Sequence, residues 1–374
     1  MRRISLLAIV ALFAAATTLG ARFALGEGGS GTKGATEPTN AGNEAAPAQK
    51  KPQPRPYPTE IRGVHVTMAL ASLEGKLDEY FSLTREGLNT LELDVKDENG
   101  DIGFSNPTVP LAKRIGAQRS YYDAFDVVDE ARARGVYLIG RIVVFEDPYL
   151  ARRKPGMAIQ RRGGGVWLTS GGLGWANPYD ERVWKYNVDI ATAAAKAGFD
   201  EIQFDYIRFP SDGDLSSAVY KGQTKEPKAT TIVRFLKYAR ERLKPLGVRI
   251  SADVFGLSAT RDMGIGQRPR KLAPYLDAIY PMVYPSHYGS GEFNLPDPNA
   301  QPARTVALSL RDFALALRGQ KTRLVPWLQD FSLGREYTLD DVRGQIMAAR
   351  DAQSEGYLLW NPSGVYTAGA LAGK

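Results

Sequence analysis

From residue 61 onward the chain alternates short apolar runs with longer stretches whose apolar positions recur every three to four residues. Eight runs read as strands: "IRGVHVT" (61–67), "LNTLELDV" (88–95), "VYLIGRIVVF" (136–145), "FDEIQFD" (199–205), "VRISADVF" (248–255), "DAIYPMVY" (277–284), "TRLVPWLQ" (322–329) and "GYLLWN" (356–361). Between them lie helical stretches such as "YYDAFDVVDEARARG", "DERVWKYNVDIATAAAKAG", "ATTIVRFLKYARERLKPLG" and "TLDDVRGQIMAARDAQSEG". Each of these ends in the Gly that commonly closes a helix. Strand, helix, strand repeated in this way predicts a parallel sheet, and eight units fit a (β/α)8 TIM barrel. An open Rossmann-type sheet would place a Gly-rich loop after the first strand, and "VHVTMALAS" has none.

The pattern upstream is different. "MRRISLLAIVALFAAATTLGARFALG" sets Arg2 and Arg3 before an apolar run from Ile4 to Leu19, with small residues at Ala24 to Gly26. It reads as a signal peptide over residues 1–26, with an uncleaved membrane anchor as the other reading. Residues 27–58 are Gly, Ala, Pro and polar residues without periodicity, which cannot bury enough apolar surface to offset their ordering entropy; they read as a disordered linker. The barrel domain is then expected over 59–374, in a secreted or otherwise extracytoplasmic protein close to a membrane or cell wall.

Composition narrows the chemistry. The 374 residues include no Cys, which removes disulfides, thiolate catalysis, Cys-rich zinc sites and lipid attachment through a Cys. The net charge of +7 divides into seven Lys/Arg against four Asp/Glu in the first 60 residues and 41 against 37 beyond them, which leaves the expected folded part close to balanced. With no basic stripe interleaved with aromatics, no nucleic-acid partner is expected. Only His65 and His287 are present, so a multi-His metal centre is excluded while an all-oxygen Ca²⁺ or Mg²⁺ site is not; no cofactor and no metal are expected. A nucleophile-elbow G-x-S-x-G is absent, and "GGSGTKGAT" lacks phosphate-loop spacing.

In a barrel, active sites lie at the C-terminal ends of the strands, and alternate residues of each strand face the interior. Strand 4 sets Gln203 and Asp205 on one face against Ile202 and Phe204; strand 5 sets Ser251 and Asp253 against Ala252 and Val254. Strand 2 opposes Glu92 and Asp94 to Leu91, Leu93 and Val95, and strand 1 opposes His65 to Val64 and Val66. One mouth is therefore predicted to collect His65, Asp94, Asp205 and Asp253. Helix capping and salt bridging are the structural alternatives for any single acid. Tyr206, Tyr280, Tyr284, Trp327 and Trp360 add flat rings that suit the apolar faces of sugars, with core packing as their alternative role.

Two carboxyl groups on adjacent strands fit glycoside hydrolysis, one protonating the leaving oxygen and one standing on the other side of the sugar. Asp205 is the expected nucleophile with Arg208 as its cationic partner, Asp253 the expected acid/base, and Asp94 the substitute for either. His65, Asp94, Lys96, Tyr206, Arg208, Tyr280, Tyr284, Trp327 and Trp360 are the expected substrate-binding residues. Neighbouring strands lie about 4.8 Å apart, so the two carboxyls are expected roughly 5 to 6 Å from each other, a spacing that favours retention of configuration.

"GFDEIQFDYIRFPSDG", with "RGVHVT", "LELDVKDENG" and "DAIYPMVYPSHY", resembles a glycoside hydrolase family catalogued as DUF4015, distantly similar to α-amylase-like (β/α)8 barrels. The resemblance runs from about residue 60 to residue 365, and "FDYIRFP" is its most specific piece. It implies a barrel and carbohydrate hydrolysis. In amylase-like barrels the nucleophile ends strand 4, which falls on Asp205, and the acid ends strand 5, which falls on Asp253. Two departures stand out: that acid is normally Glu, and the usual Arg two residues before the nucleophile is Gln203 here, whereas Arg208 follows it.

The leading expectation is thus an exported glycosidase acting on a bacterial polysaccharide. A non-catalytic carbohydrate-binding barrel and a metal-dependent barrel hydrolase, a deacetylase or an esterase, are the alternatives. "RRKPGMAIQRRGGGVWLTSGGLGWANP" (152–178), a long connection after strand 3, is expected to act as a lid or specificity loop, and its four Arg and one Lys suggest an anionic polymer.

Overall fold

A computed structural model describes residues 55–372. Eight parallel strands close into a barrel: β1 (Ile61–Val66), β2 (Thr90–Lys96), β3 (Tyr137–Val143), β4 (Glu201–Asp205), β5 (Arg249–Phe255), β6 (Ala278–Val283), β7 (Trp327–Gln329) and β8 (Gly356–Trp360). Each pairs with the next, and β8 pairs back onto β1, so the sheet has no free edge among these strands. The seventh unit is broken into Arg323–Leu324 and Trp327–Gln329. Pro326 lies between them and has no N–H to give to the ladder.

The helices form where the periodicity placed them. Asp123 caps Ala124–Ala133 by accepting from the amides of Phe125 and Asp126. Glu181–Ala197 starts on Asp180 and ends at Gly198, whose φ of 113° a side chain would resist. Leu339–Asp351 opens on a capping box between Thr338 and Asp341. No helix among the described residues is long and apolar enough to cross a membrane.

Two apolar layers follow from strand alternation. The outward faces of the strands pack on the helices; Phe204, for example, meets the Phe235 ring edge-on at 5.2 Å. The inward faces form a smaller cluster of Ile61, Tyr137, Ile139, Ala278, Tyr280, Tyr284, Val325, Trp327 and Leu358. Into that interior β4 projects Glu201, Gln203 and Asp205, from floor to mouth.

Residues just upstream of the expected domain start at 59 make contacts of their own at the floor of the barrel. Arg55 donates its amide to Asp200 Oδ1 at 2.9 Å, ion-pairs with Asp200 Oδ2 at 2.5 Å and donates to the Ala131 carbonyl at 3.0 Å. Arg249 and Arg323 both lie over the Tyr57 ring, 4.2 and 4.3 Å from its centroid, and the Tyr137 ring lies 5.5 Å from it. Residues 55–58 are therefore part of the folded domain, because a single aromatic side chain closes the barrel's open N-terminal end. The remainder of the expected linker, the signal segment and residues 373–374 lie outside the described residues.

Candidate active site

The strands' C-terminal ends surround a cavity of about 240 Å³ lined by His65, Glu98, Arg141, Glu146, Asp205, Tyr206, Arg208, Asp253, Tyr284, Trp327 and Trp360, among others. The predicted parity holds, and its hub is a residue the sequence reading passed over. Arg141, on β3, reaches Asp94 Oδ1 at 2.7 Å and Asp205 Oδ2 at 2.6 Å, and also pairs with Glu98. Its Nε makes a second contact to Asp205 Oδ2 at 3.0 Å. It is a lone cation in an otherwise apolar strand, on the inward parity with Tyr137 and Ile139. That was the available signal.

Asp205 is thus paired with Arg141 rather than with the expected Arg208. Its Oδ1 accepts the Tyr206 amide at 2.6 Å, and Tyr206 itself takes a left-handed φ of 50°. A non-Gly residue held in this left-handed region stores strain, on the order of 1–3 kcal/mol, of the kind that clusters at functional sites.

Asp253 lies deeper, 1% exposed. Its Oδ1 accepts from Trp327 Nε1 at 2.7 Å and Gln203 Nε2 at 2.5 Å, while Oδ2 has no hydrogen-bond partner among the described residues. Burial, then the neighbouring charge of Asp205, pushes the Asp253 carboxyl well above the usual carboxylate range. Asp94 differs: burial alone would raise it, but the charges of His65 and Arg141 more than offset this and hold it below its ordinary value. Asp94 does not line the cavity, and His65 Nε2 lies 3.1 Å from its Oδ1. Lowered, paired and outside the cavity lining, Asp94 has the surroundings of a positioning carboxylate rather than of a proton donor.

Besides Asp94, two more expected substrate-binding residues do not line this cavity. Lys96 is fully buried behind the barrel wall, paired with Asp147 at 2.7 Å and donating to Asn187 Oδ1 at 3.1 Å and the Val143 carbonyl at 2.7 Å. The cause is a slip of register between Asp94 and Lys96 in the pairing with β3, which turns the next side chain outward. Tyr280 is on the correct face but near the floor, beside the buried Glu201 together with Tyr57, Tyr137 and Ser251. His65, Tyr206, Arg208, Tyr284, Trp327 and Trp360 do line the mouth. The Tyr284 and Trp360 rings lie 5.1 Å apart at 31°, with Phe331 edge-on to both.

A second cavity of about 600 Å³ adjoins the first, sharing Glu146, Leu173, Tyr206, Arg208, Phe255, Met282 and Tyr284 with it. Glu146, also unremarked in the sequence, sits at the junction, where burial pushes its carboxyl up to about 8 against the lowering charge of Arg208. The long connection after β3 contributes Gly171, Leu173, Thr169 and Trp175 to the two cavities, but none of its four Arg nor Lys154 lines either. Arg152 and Arg153 lie instead on the Tyr149 ring, 5.1 and 5.5 Å from its centroid.

A closed parallel barrel with an acid-rich, ring-lined mouth at its C-terminal end has the architecture of the barrel glycosidases. Residues 63–366 match DUF4015, described as "Putative glycosyl hydrolase domain", and the chain belongs to this family. Among solved structures, the glycoside hydrolase domain of PgaB (BpsB) from Bordetella bronchiseptica is similar at 14% identity and TM-score 0.58, over 81% of this chain and 94% of that one. The catalytic domain of β-amylase from Paenibacillus polymyxa is similar at 13% identity and TM-score 0.51, over 83% and 96%. A hypothetical protein from Ruminiclostridium thermocellum is 37% identical over 51% of this chain and 97% of that one, with TM-score 0.47. At their low identities the first two likenesses speak to the fold. No curated protein matches the chain.

Proposed function

We propose that the protein is an exported glycoside hydrolase that cleaves a bacterial polysaccharide with retention of configuration. The observation that carries this reading is the contrast between two acids at one mouth. Asp205 is ion-paired with Arg141, whereas Asp253 is desolvated, pushed toward its protonated form and left with one free oxygen. A carboxylate and a carboxylic acid in one site supply a nucleophile and a proton donor.

In this scheme an Asp205 oxygen attacks the anomeric carbon as the bond to the leaving oxygen breaks, and Asp253 gives its proton to that oxygen. Water then attacks the glycosyl–Asp205 ester, Asp253 takes the water's proton, and both groups return to their starting states. Tyr284 and Trp360 offer a platform for a sugar face, and Arg141 holds Asp205 in place through the cycle. Glu146 supports a second assignment of the proton donor, because it also lines the mouth and is held up to about 8.

Release of new reducing ends from a panel of bacterial polysaccharides, absent with Asp205→Asn, tests the hydrolase reading. Binding without new ends would favour a lectin-like barrel, and loss of activity in chelator a metal-dependent hydrolase. Proton NMR of the first-formed product tests stereochemistry: an anomer opposite to the substrate linkage would make Asp205 the base that activates water. Export rests on the signal-like first 26 residues. Recovery of the protein only from the cytoplasm, with an intact N-terminus, would sink it.

A further inference from the structure

Arg208 is the cation that the Asp205 pairing leaves over. Its guanidinium is packed among three rings, 4.9 Å from Trp175, 4.8 Å from Tyr206 and 4.9 Å from Phe255, and the residue is only 6% exposed. Nη1 donates to the Phe209 carbonyl at 3.2 Å and to Ser211 Oγ at 3.1 Å. Among the described residues Nε and Nη2 have no hydrogen-bond partner, and no carboxylate lies within 4.0 Å of the group. Neither nitrogen is among the fully buried atoms that lack a partner, so this edge is open to the cavity rather than sealed in the core. The Nε–Nη2 edge is also the fork that grips a carboxylate or phosphate through two parallel bonds. Arg208 lines both cavities.

The charges around it point the same way. Six charged residues line the larger cavity: Glu146, Arg208, Asp212, Lys228, Arg261 and Glu292. Arg261 and Glu292 neutralise each other in a two-bond pair, both contacts at 2.7 Å. Glu146, raised to about 8, is mostly protonated at neutral pH, and burial raises Asp212 as well. Lys228 has no ion pair among the described residues; it donates to the Gly264 carbonyl at 2.8 Å and lies over the Phe209 ring. Burial holds the Lys228 ammonium below its usual value too, but with Glu146 mostly protonated at neutral pH, Arg208 and Lys228 face only Asp212, in a site walled by Trp175, Tyr206 and Phe255.

We propose that the larger cavity is a subsite for a sugar bearing an anionic substituent, a carboxylate, phosphate or sulfate, gripped by the free edge of Arg208 with Lys228 beside it. The substrate of the hydrolase reading, on which this inference rests, is then an acidic rather than a neutral polysaccharide. Recognition is built into a rigid site: the three rings hold the guanidinium in one plane, so little side-chain entropy is lost when the anion arrives.

The test titrates the full chain with glucuronate, glucose 6-phosphate, glucose 6-sulfate and glucose at fixed ionic strength, following tryptophan fluorescence, to which Trp175 contributes. At least one anionic sugar should bind about tenfold or more tighter than glucose, as expected for a charge-assisted two-bond contact. That preference should vanish in Arg208→Gln and weaken in Lys228→Gln; which sugar wins identifies the substituent. Equal binding of all four, no binding of any, or a preference that survives Arg208→Gln overturns the proposal. Should Arg208→Gln fail to fold, Lys228→Gln carries the test, and an undiminished preference there counts against it. Anionic-sugar binding without reducing-end release from acidic polysaccharides would sink the hydrolase reading alone.

Discussion

Replacing Arg141 by Met keeps much of the side chain's length and removes its charge from the centre of the mouth. Asp94 and Asp205 lose partners at 2.7 and 2.6 Å, Glu98 loses its partner, and Glu92, with a carboxylate oxygen 3.8 Å from the guanidinium, loses a compensating charge. Asp94 is buried behind the cavity lining, so it is left as a buried carboxylate without that ion pair. Removing one partner of a buried pair typically costs about 3–5 kcal/mol, which for a domain of this size is a fall in Tm of roughly 5–15 °C. The sign with pH follows from Asp94. Its folded value lies below its unfolded one, so its pairing stabilises the fold above the unfolded pKa of about 3.9 and ceases to as pH falls through the folded value. Arg141→Met should therefore show its full deficit from pH 7 down to about pH 4 and a smaller one only as the pH falls further, by differential scanning calorimetry of the two proteins in parallel. A deficit below about 1 kcal/mol, or one that does not change with pH, would show that Arg141 is not the counter-charge that holds the mouth together. Arg141→Lys should recover only part of the stability, because a point charge cannot bridge three carboxylates held by a planar fork.

Asp205→Asn and Asp253→Asn should each lower turnover by several orders of magnitude, Asp253→Asn with little loss of Tm and Asp205→Asn with the loss that goes with breaking its buried pair to Arg141, and if Asp253→Asn stays near the parent rate while Glu146→Gln is inactive, the proton donor is Glu146. Because the folded value of Glu146 is raised to about 8, its burial costs stability as pH rises from about 4.5 through 8; Glu146→Gln should gain on the parent protein over that window, and parallel melting curves at pH 5 and pH 9 measure it. Lys96→Met should destabilise by about 3–5 kcal/mol through the uncompensated buried Asp147, read from urea unfolding, while KM for any substrate stays unchanged. A chain beginning at Thr59 lacks Tyr57 and the Arg55–Asp200 pair and should melt several degrees below one beginning at Arg55; equal midpoints would show that the floor contacts are dispensable.

The barrel and its polar parity were legible because they rest on local regularities. Each strand is an apolar run flanked by an amphipathic helix, and alternation by two fixes which residues face inward wherever the ladder is regular. His65, Asp205 and Asp253 reached the mouth for that reason. The same rule failed at Lys96, where a register slip reverses the facing of everything after it, and no residue in "LELDVKDENG" announces the slip. It failed differently at Tyr280, whose facing was right: alternation gives the side of a sheet but not the depth within a closed barrel, which depends on the stagger between strands. Tyr57 was illegible for a third reason, since one aromatic among prolines carries no periodic signal.

The reassignment of cations shows what sequence proximity can and cannot supply. Arg208, three residues after Asp205, seemed its natural partner, yet the left-handed turn at Tyr206 carries the chain away and delivers Arg208 to the rings of Trp175, Tyr206 and Phe255. The partner comes instead from the neighbouring strand, where Arg141 pairs in register with Gln203, one inward step below Asp205. An arginine side chain leaning along its strand spans that step, which is why the pair forms across the sheet rather than along the chain. The division leaves one guanidinium saturated by carboxylates and a second with an open edge facing the adjoining cavity. The first fixes the reacting carboxylate in place; the second is free to choose what is brought to it.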